Sequence, residues 1–452
     1  YRMGGIYNIA NSYNSIHAQF FFSFFYSIIN TSRIPDLLQF LYETSDGKIW
    51  ITTSGISSDG GLNLWDPETK KIVSFQNKSF LPENLGINGL YENSPGELVI
   101  STQTGNYQYN TKTNRAKKIV LPGVPDNAGI IHFFKDSKDR HWLCTYTGLY
   151  KQNKGSDLFE KYDLSQSGGN ASSIVVTRAH EGSKHGVWFI TGNGLYLYDY
   201  SNDKLSRHGY DSKAGDIFNS QDINSVYETN DGTVWVGTWG GGLSKYNVET
   251  GKITTYTREN GLPSMSIQGI LADEANKVLW LSTFEGLSRF DIAEEQFNNY
   301  SISDGIQGQL FADGASLKTS QGLFLFGGSN GFTVFDPNDI NKKSIPPRVF
   351  LTDLKLFNKS VLPGENSILK DAIYNTREIV LTHDQNNLTL EFLAIHYANP
   401  SKNKYAYKLE NYDSEWREVG NQRTAFYSGL PPGNYVFRLK AANSNGVWNE
   451  EG

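Results

Sequence analysis

Three aromatic residues occupy one place in a repeated block, and they are the side chains here best suited to chemistry. Tyr146, Trp239 and Phe284 each lie four residues past a bulky anchor, Trp142, Trp235 and Trp280. Asn193 and Glu285 stand five residues past their anchors, Trp188 and Trp280. Aromatic faces stack on the apolar faces of sugar rings, and adjacent amides and carboxylates fix hydroxyls. The expected chemistry is therefore non-covalent binding of an oligosaccharide. The competing reading is that these side chains pack against neighbouring loops or another domain.

Bond-breaking chemistry finds less support. Gly327-Gly328-Ser329-Asn330-Gly331 matches the Gly-x-Ser-x-Gly nucleophile pattern in letters only. That pattern needs a strand-to-helix turn, whereas here it falls between two predicted strands. Thr44-Ser45-Asp46-Gly47-Lys48-Ile49-Trp50 is similar to the turn of sialidase-like propellers, but lacks the residue between Asp and Gly. Glycoside hydrolysis also needs a positioned pair of carboxylates. Asp126, Asp216, Asp222, Glu285 and Asp304 lie near predicted loops, and sequence does not pair them. The eight histidines are scattered. Without metal-ligand spacing or a phosphate-cradling glycine loop, neither a metal nor a cofactor is expected. No catalytic residue is assigned.

Composition narrows the partners. The net charge is −6, and Lys117-Lys118 and Lys342-Lys343 are isolated basic pairs. A nucleic-acid binder needs a basic face, so no nucleic-acid contact is expected. Cys144 is the single cysteine, which excludes an intramolecular disulfide framework. The apolar run Phe20–Ile29 is about half the ~20 residues of a membrane span. Aromatic residues make up 13% and glycine 44 of 452 positions. Glycine disfavours helices and aromatics favour strands, so many short strands are expected.

The elements that position the aromatics emerge from the repeat. Anchors fall at Trp50, Val99, Trp142, Trp188, Trp235, Trp280 and Phe324, at intervals of 49, 43, 46, 47, 45 and 44 residues. A period near 46 with strand patterning reads as propeller blades of four strands. Asp46-Gly47 and Asp231-Gly232 suit a hairpin turn that needs positive φ. An aromatic follows the third strand's Leu by 13 residues in four copies, Leu62 to Phe75, Leu149 to Tyr162, Leu243 to Tyr256 and Leu287 to Tyr300. The seventh copy lacks a fourth strand. Residues 20–26 sit in the register to supply it and to close the ring. Each blade's loops after its second and fourth strands should emerge on one face, with the aromatics above.

The fold class expected is all-β, a seven-bladed β-propeller followed by an immunoglobulin-like β-sandwich. Residues 1–19 read as the remnant of an upstream segment, possibly a first propeller. Residues 20–345 form the propeller. Residues 346–452 form the sandwich, truncated at its C-terminus, with its boundary at Ile345-Pro346-Pro347.

The block Asp-Gly-x-x-Trp-Val-Gly-Thr-x-x-Gly-Gly-Leu, complete at residues 231–243, resembles the two-component regulator propeller repeat. Tyr405, Tyr407, Leu409, Tyr412, Trp416 and Leu430-Pro431-Pro432-Gly433-Asn434-Tyr435 resemble the triple-tyrosine domain that follows it. Together they resemble the extracytoplasmic sensor of Bacteroides-type hybrid two-component systems. The resemblance implies a periplasmic sensor region of a membrane-anchored histidine kinase. Such a region binds an oligosaccharide, controls glycan-utilisation genes and is itself non-catalytic. The sandwich would then relay the signal and form a homodimer contact. A protein-interaction scaffold is the alternative, and a propeller glycosidase a further one.

Overall fold

A buried threonine closes the second strand of four blades in one way. In the computed structural model, Thr102, Thr145, Thr191 and Thr283 close the second strand. Each donates its Oγ1 hydroxyl to the carbonyl three residues on, at 2.8–2.9 Å, as Thr145 does to Gly148. The same oxygens accept from the amide two residues on. One hydroxyl thus satisfies a turn that is otherwise cut off from water. In the complete block Thr238 plays a similar part, donating to the Gly242 carbonyl four residues on at 3.2 Å. The structure describes residues 37–54, 61–75, 86–164, 174–211, 215–216, 218–340, 346–395, 400–443 and 446–450.

The chain divides into two compact units, one spanning residues 25–340 and the other holding residues 341–452. The described part of the first unit contains seven antiparallel sheets, six of four strands and one of three, besides a two-stranded ribbon. We number the sheets as blades 1–7 and letter their strands a–d in chain order. The inner strands a are Leu37–Glu43, Ile87–Ser94, Ile130–Lys135, Val176–Glu181, Ile223–Glu228, Ile267–Asp273 and Phe311–Lys318. They touch in cyclic order, and that of blade 7 packs on that of blade 1. The described part of blade 7 ends with strand c at Gly331–Phe335. The fourth strand expected from residues 20–26 lies outside the described residues.

The strand register explains the 13-residue spacing. Leu149, Leu243 and Leu287 on strand c pair directly with Tyr162, Tyr256 and Tyr300 on strand d. The turns from a to b are tight. Gly47 and Gly232 take φ of +77° and +84°, and Thr44 and Thr229 each donate to the Asp two residues on at 2.7 Å.

Each anchor side chain faces the following blade. Trp142, Trp188, Trp235 and Trp280 are fully buried. Trp142 meets Phe189 of blade 4 at 5.0 Å between ring centroids, and Trp280 meets Phe335 of blade 7 at 4.7 Å. In blade 7 the anchor is Leu325, not Phe324 as the spacing suggests. Leu325 belongs to the cluster with Leu38, Ile49 and Trp65 of blade 1. Side chains alternate along a strand, so neighbouring Phe324 faces the other way.

Carboxylates staple the turns around one rim. Glu92, Glu181 and Glu228 accept from backbone amides of the preceding blade's turn, at Ser45, Ser137 and Lys184, over 2.6–3.0 Å. Glu43 does the same for blade 7, accepting from the Ser320 amide at 2.7 Å and its hydroxyl at 2.6 Å. The ring is therefore joined between its last and first blades by both apolar packing and charge-assisted hydrogen bonds.

The described part of the second unit has two sheets. One orders Lys359–Ser360, Arg348–Leu356, Leu388–Ile395 and Thr424–Tyr427, and the other Arg417–Gly420, Lys404–Glu410 and Val436–Ala442. Leu354, Leu390 and Phe392 of the first pack with Tyr405, Tyr407 and Leu439 of the second in one core. This is the sandwich arrangement.

Closure makes a measurable demand. Leu325→Ala is expected to cost about 2–5 kcal/mol, the range for truncating a buried leucine. Glu43→Ala should cost about 1 kcal/mol, since its bonds are charge-assisted but partly solvated. Glu68→Ala, at an exposed position, should stay within about 0.5 kcal/mol. Urea unfolding of the three variants checks the order. A Leu325→Ala midpoint equal to that of Glu68→Ala would refute the closure.

Candidate functional site

The inner strands do not run straight into the centre of the ring. In each of six blades one residue interrupts the pairing of strands a and b, namely Gln39, Asn88, Ile131, Thr177, Asn224 or Gln268. In blade 7 the interruption spans residues 312–315. Such bulges bend a strand and re-aim its side chains. The repetition at one level brings Gln39, Asn88, Ile131 and Thr177 to the wall of the same cavity.

A cavity of about 1060 Å³ occupies the centre, with residues of all seven inner strands in its wall. Gln39, Asn88 and Thr177 line it from their bulges. Ser225 lines it with a buried hydroxyl that has no hydrogen-bond partner among the described residues. Arg178 of blade 4 and Asp313 of blade 7 meet across it, Nη2 to Oδ1 at 2.9 Å. Gly314 takes φ of +84°, and a Cβ there would lie 2.3 Å from Arg178 Nη2. Glycine at this position gives both the bulge and the room for the guanidinium.

Two histidines in the wall are neutral. His132 Nδ1 accepts from the Ala179 amide at 3.1 Å, and His180 Nε2 accepts from the Glu228 amide at 3.3 Å. Burial, with the Arg178 charge nearby, pushes His132 down to about 3. Burial also pushes His180 down to about 4, outweighing the charges of Glu228 and Glu181.

The turns between strands b and c meet the loops leading into strand a. The Tyr146 amide donates to Ala128 O at 3.1 Å, Trp239 to Asp222 O at 2.8 Å, and Gly192 to Val175 O at 2.9 Å. Both sets of loops thus share one face of the ring. Tyr146 is half exposed, lies against Gly129, and lines the cavity. Trp239 is half exposed and meets Phe284 edge-on at 4.8 Å, between blades 5 and 6. Glu285 is ion-paired with Arg258. Asn193 holds its turn through its amide, which donates to Thr191 Oγ1 at 3.1 Å. Of the five candidates, Tyr146 is in the cavity wall; Trp239, Phe284, Glu285 and Asn193 are outside it.

Asp304 and Asp126 of the acidic loop residues have other partners. Asp304 caps its own turn by accepting from the Ser301 amide at 2.8 Å, and Asp126 pairs with Lys118 at 3.9 Å. Ser329 sits in a strand-to-strand turn, its amide donating to Leu310 O. Among the described residues no group of three or more His, Cys, Asp or Glu is placed to hold a metal.

Arg178 and Asp313 were missed in reading the sequence. The available signal was a charged residue inside each predicted inner strand, in Val176-Thr177-Arg178-Ala179 and Phe311-Ala312-Asp313-Gly314. An isolated charge among inward-facing apolar positions marks either a pair or a site.

Residues 396–452 match the Y_Y_Y domain, and residues 217–240 match the two component regulator propeller. The chain is 32% identical to histidine kinase P4 of Formosa agariphila over 275 residues, which is 60% of this chain and 20% of that protein. Its fold is similar to the extracellular domain of a B. thetaiotaomicron protein described as a hybrid two component system. That alignment has a TM-score of 0.50 and 20% identity, over 92% of this chain and 56% of the other. A second such extracellular domain of that bacterium aligns at a TM-score of 0.36 and 20% identity, over 91% of this chain and 71% of its own. The chain thus spans a fifth of the kinase and little more than half of the first extracellular domain. The family matches and the kinase bear out the resemblance drawn from the tryptophan blocks and the C-terminal tyrosines. Among the described residues no helix is long and apolar enough to cross a membrane.

The buried histidines set a pH dependence. Their folded pKa values lie below the ordinary 6.5, so between those values the unfolded chain binds more protons. Stability is then full above about pH 6.5 and falls as pH drops, by about 1.4 kcal/mol per unit for each group that stays neutral. Urea midpoints at pH 7.5 and pH 5 should show the fall, and His132→Asn should lessen it. Equal midpoints at the two values would contradict the buried neutral histidines.

Proposed function

We propose that this chain is the ligand-sensing region of a membrane-anchored hybrid two-component histidine kinase, and that it binds an oligosaccharide at the mouth of its propeller. The carrying observation is the central cavity of about 1060 Å³, walled by residues of every blade, with polar side chains from all but the sixth, and by half-exposed Tyr146. Its size is that of sites for small ligands, and its mixture of an aromatic face with amides, hydroxyls and a guanidinium suits sugar rings. Trp239 and Phe284 on the same face would extend the surface for a longer chain, with Glu285 next to Phe284 and Asn193 in the turn of the preceding blade.

The likeness to histidine kinase P4 and to an extracellular domain supports the sensor reading. In this reading the region is non-catalytic and faces the periplasm. The sandwich passes the change onward, forms the homodimer contact, and the kinase controls glycan-utilisation genes. A ligand shifts a two-state sensor only by its differential affinity, and a swing from 1:99 to 99:1 needs about 5.5 kcal/mol.

Calorimetric titration of the chain with plant, host and microbial oligosaccharides tests the reading, with the sugars analysed afterwards. Saturable heat with the sugar intact is expected. Tyr146→Ala should weaken that binding about tenfold, roughly 1.4 kcal/mol, and Trp239→Ala should weaken longer sugars more than short ones. Cleaved sugar would turn the reading to a glycosidase, and silence across the panel would turn it to a scaffold.

A further inference from the structure

The centre of the ring holds an ion pair of unusual placement. Arg178 and Asp313 belong to blades 4 and 7, which are not neighbours. Theirs is the one ion pair between non-neighbouring blades among those found in the described residues. Neither side chain is shut away, the guanidinium being 23% and the carboxylate 45% exposed. A guanidinium carries five N–H donors and a carboxylate about four acceptor sites. The Nη2–Oδ1 approach is a contact of charges that occupies at most one of each.

We infer that this pair makes the mouth selective for an uncharged sugar, by binding neighbouring hydroxyls of one ring. The inference rests on the oligosaccharide reading above and specifies its ligand. A sugar diol both donates and accepts, so one hydroxyl gives its proton to Asp313 while the next accepts from Arg178. The two protein charges already compensate each other, so a neutral ligand adds no uncompensated charge to the cavity. A ligand carboxylate drawn to Arg178 meets Asp313 one ion-pair distance away. Glu43 also lines the cavity, leaving two carboxylates against one guanidinium. His132 and His180 add no positive charge near neutral pH, because burial keeps them unprotonated. An amino sugar drawn to Asp313 meets the guanidinium in turn. Gly314 holds the arrangement open, since any side chain there would strike Arg178.

Matched sugars test this. The purified chain is titrated with galactotetraose and tetragalacturonate, mannotetraose and tetramannuronate, and cellotetraose and its glucuronate counterpart. The members of each pair differ mainly in carrying a hydroxymethyl or a carboxylate. Binding that favours the neutral member at least tenfold is expected. Asp313→Asn leaves Arg178 uncompensated and should move the neutral-to-uronate ratio at least tenfold towards the uronate, which a merely structural role would not do. If that variant fails to fold by its circular-dichroism melt, Arg178→Gln/Asp313→Asn removes both charges at once. It should keep neutral binding within a few fold and lose most of the discrimination. Uronate binding as tight as neutral binding, or a ratio unmoved in the folded variant, overturns the selectivity while the oligosaccharide reading stands. No heat with any of the six sugars overturns both.

Discussion

Everything in the first unit depends on each blade burying its anchor against the next. A four-stranded sheet of this kind cannot bury Trp142 or Trp235 by itself, because the partner surface belongs to the following blade. The stacking therefore has no stable end short of a ring. Blade 7 meets the requirement with Leu325 and Phe332 against Leu38, Ile49 and Trp65 of blade 1. Glu43 bound to Ser320 adds direction to packing that has none of its own. The central cavity exists only because that joint closes, since its wall takes residues from all seven inner strands.

The same geometry decides where function can sit. Inner strands crowd at the axis, and regular strands would direct their side chains between blades. The bulges at Gln39, Asn88 and Thr177 break the alternation and bring polar groups into the wall. In blade 7 the longer interruption carries Asp313 to Arg178 on the far side of the ring. Amide-to-carbonyl bonds pin the turns between strands b and c to the neighbouring loops, which fixes Tyr146 at the cavity. Rigid placement of this kind lowers the ordering cost of binding.

Much of the fold was legible in the sequence, because its signals are local and repeated. The 13-residue spacing from Leu243 to Tyr256 is the length of a c–d hairpin whose ends pair directly. The Asp-Gly turns read correctly because φ at Gly232 admits few other residues. Blade 7 misled the count by one residue, since Phe324 and Leu325 are both large and apolar and only the facing of the strand separates them. The site was less legible. Tyr146 could be found from its offset to Trp142, whereas Arg178 and Asp313 meet only after the ring has closed. A bulge leaves no fixed letter pattern, as Gln39, Ile131 and Thr177 show by sharing one position with three chemistries.

A closed ring, a polar cavity at its axis and a ligand held there stand or fall together. The most direct measurement is a crystal structure of the chain with an oligosaccharide that titrates to saturation. The account predicts a sugar ring in the central mouth, within hydrogen-bond distance of Arg178 and Asp313 and against the face of Tyr146. Density for the sugar on the outer edge of a blade or on the sandwich, with the mouth holding only water, would contradict it.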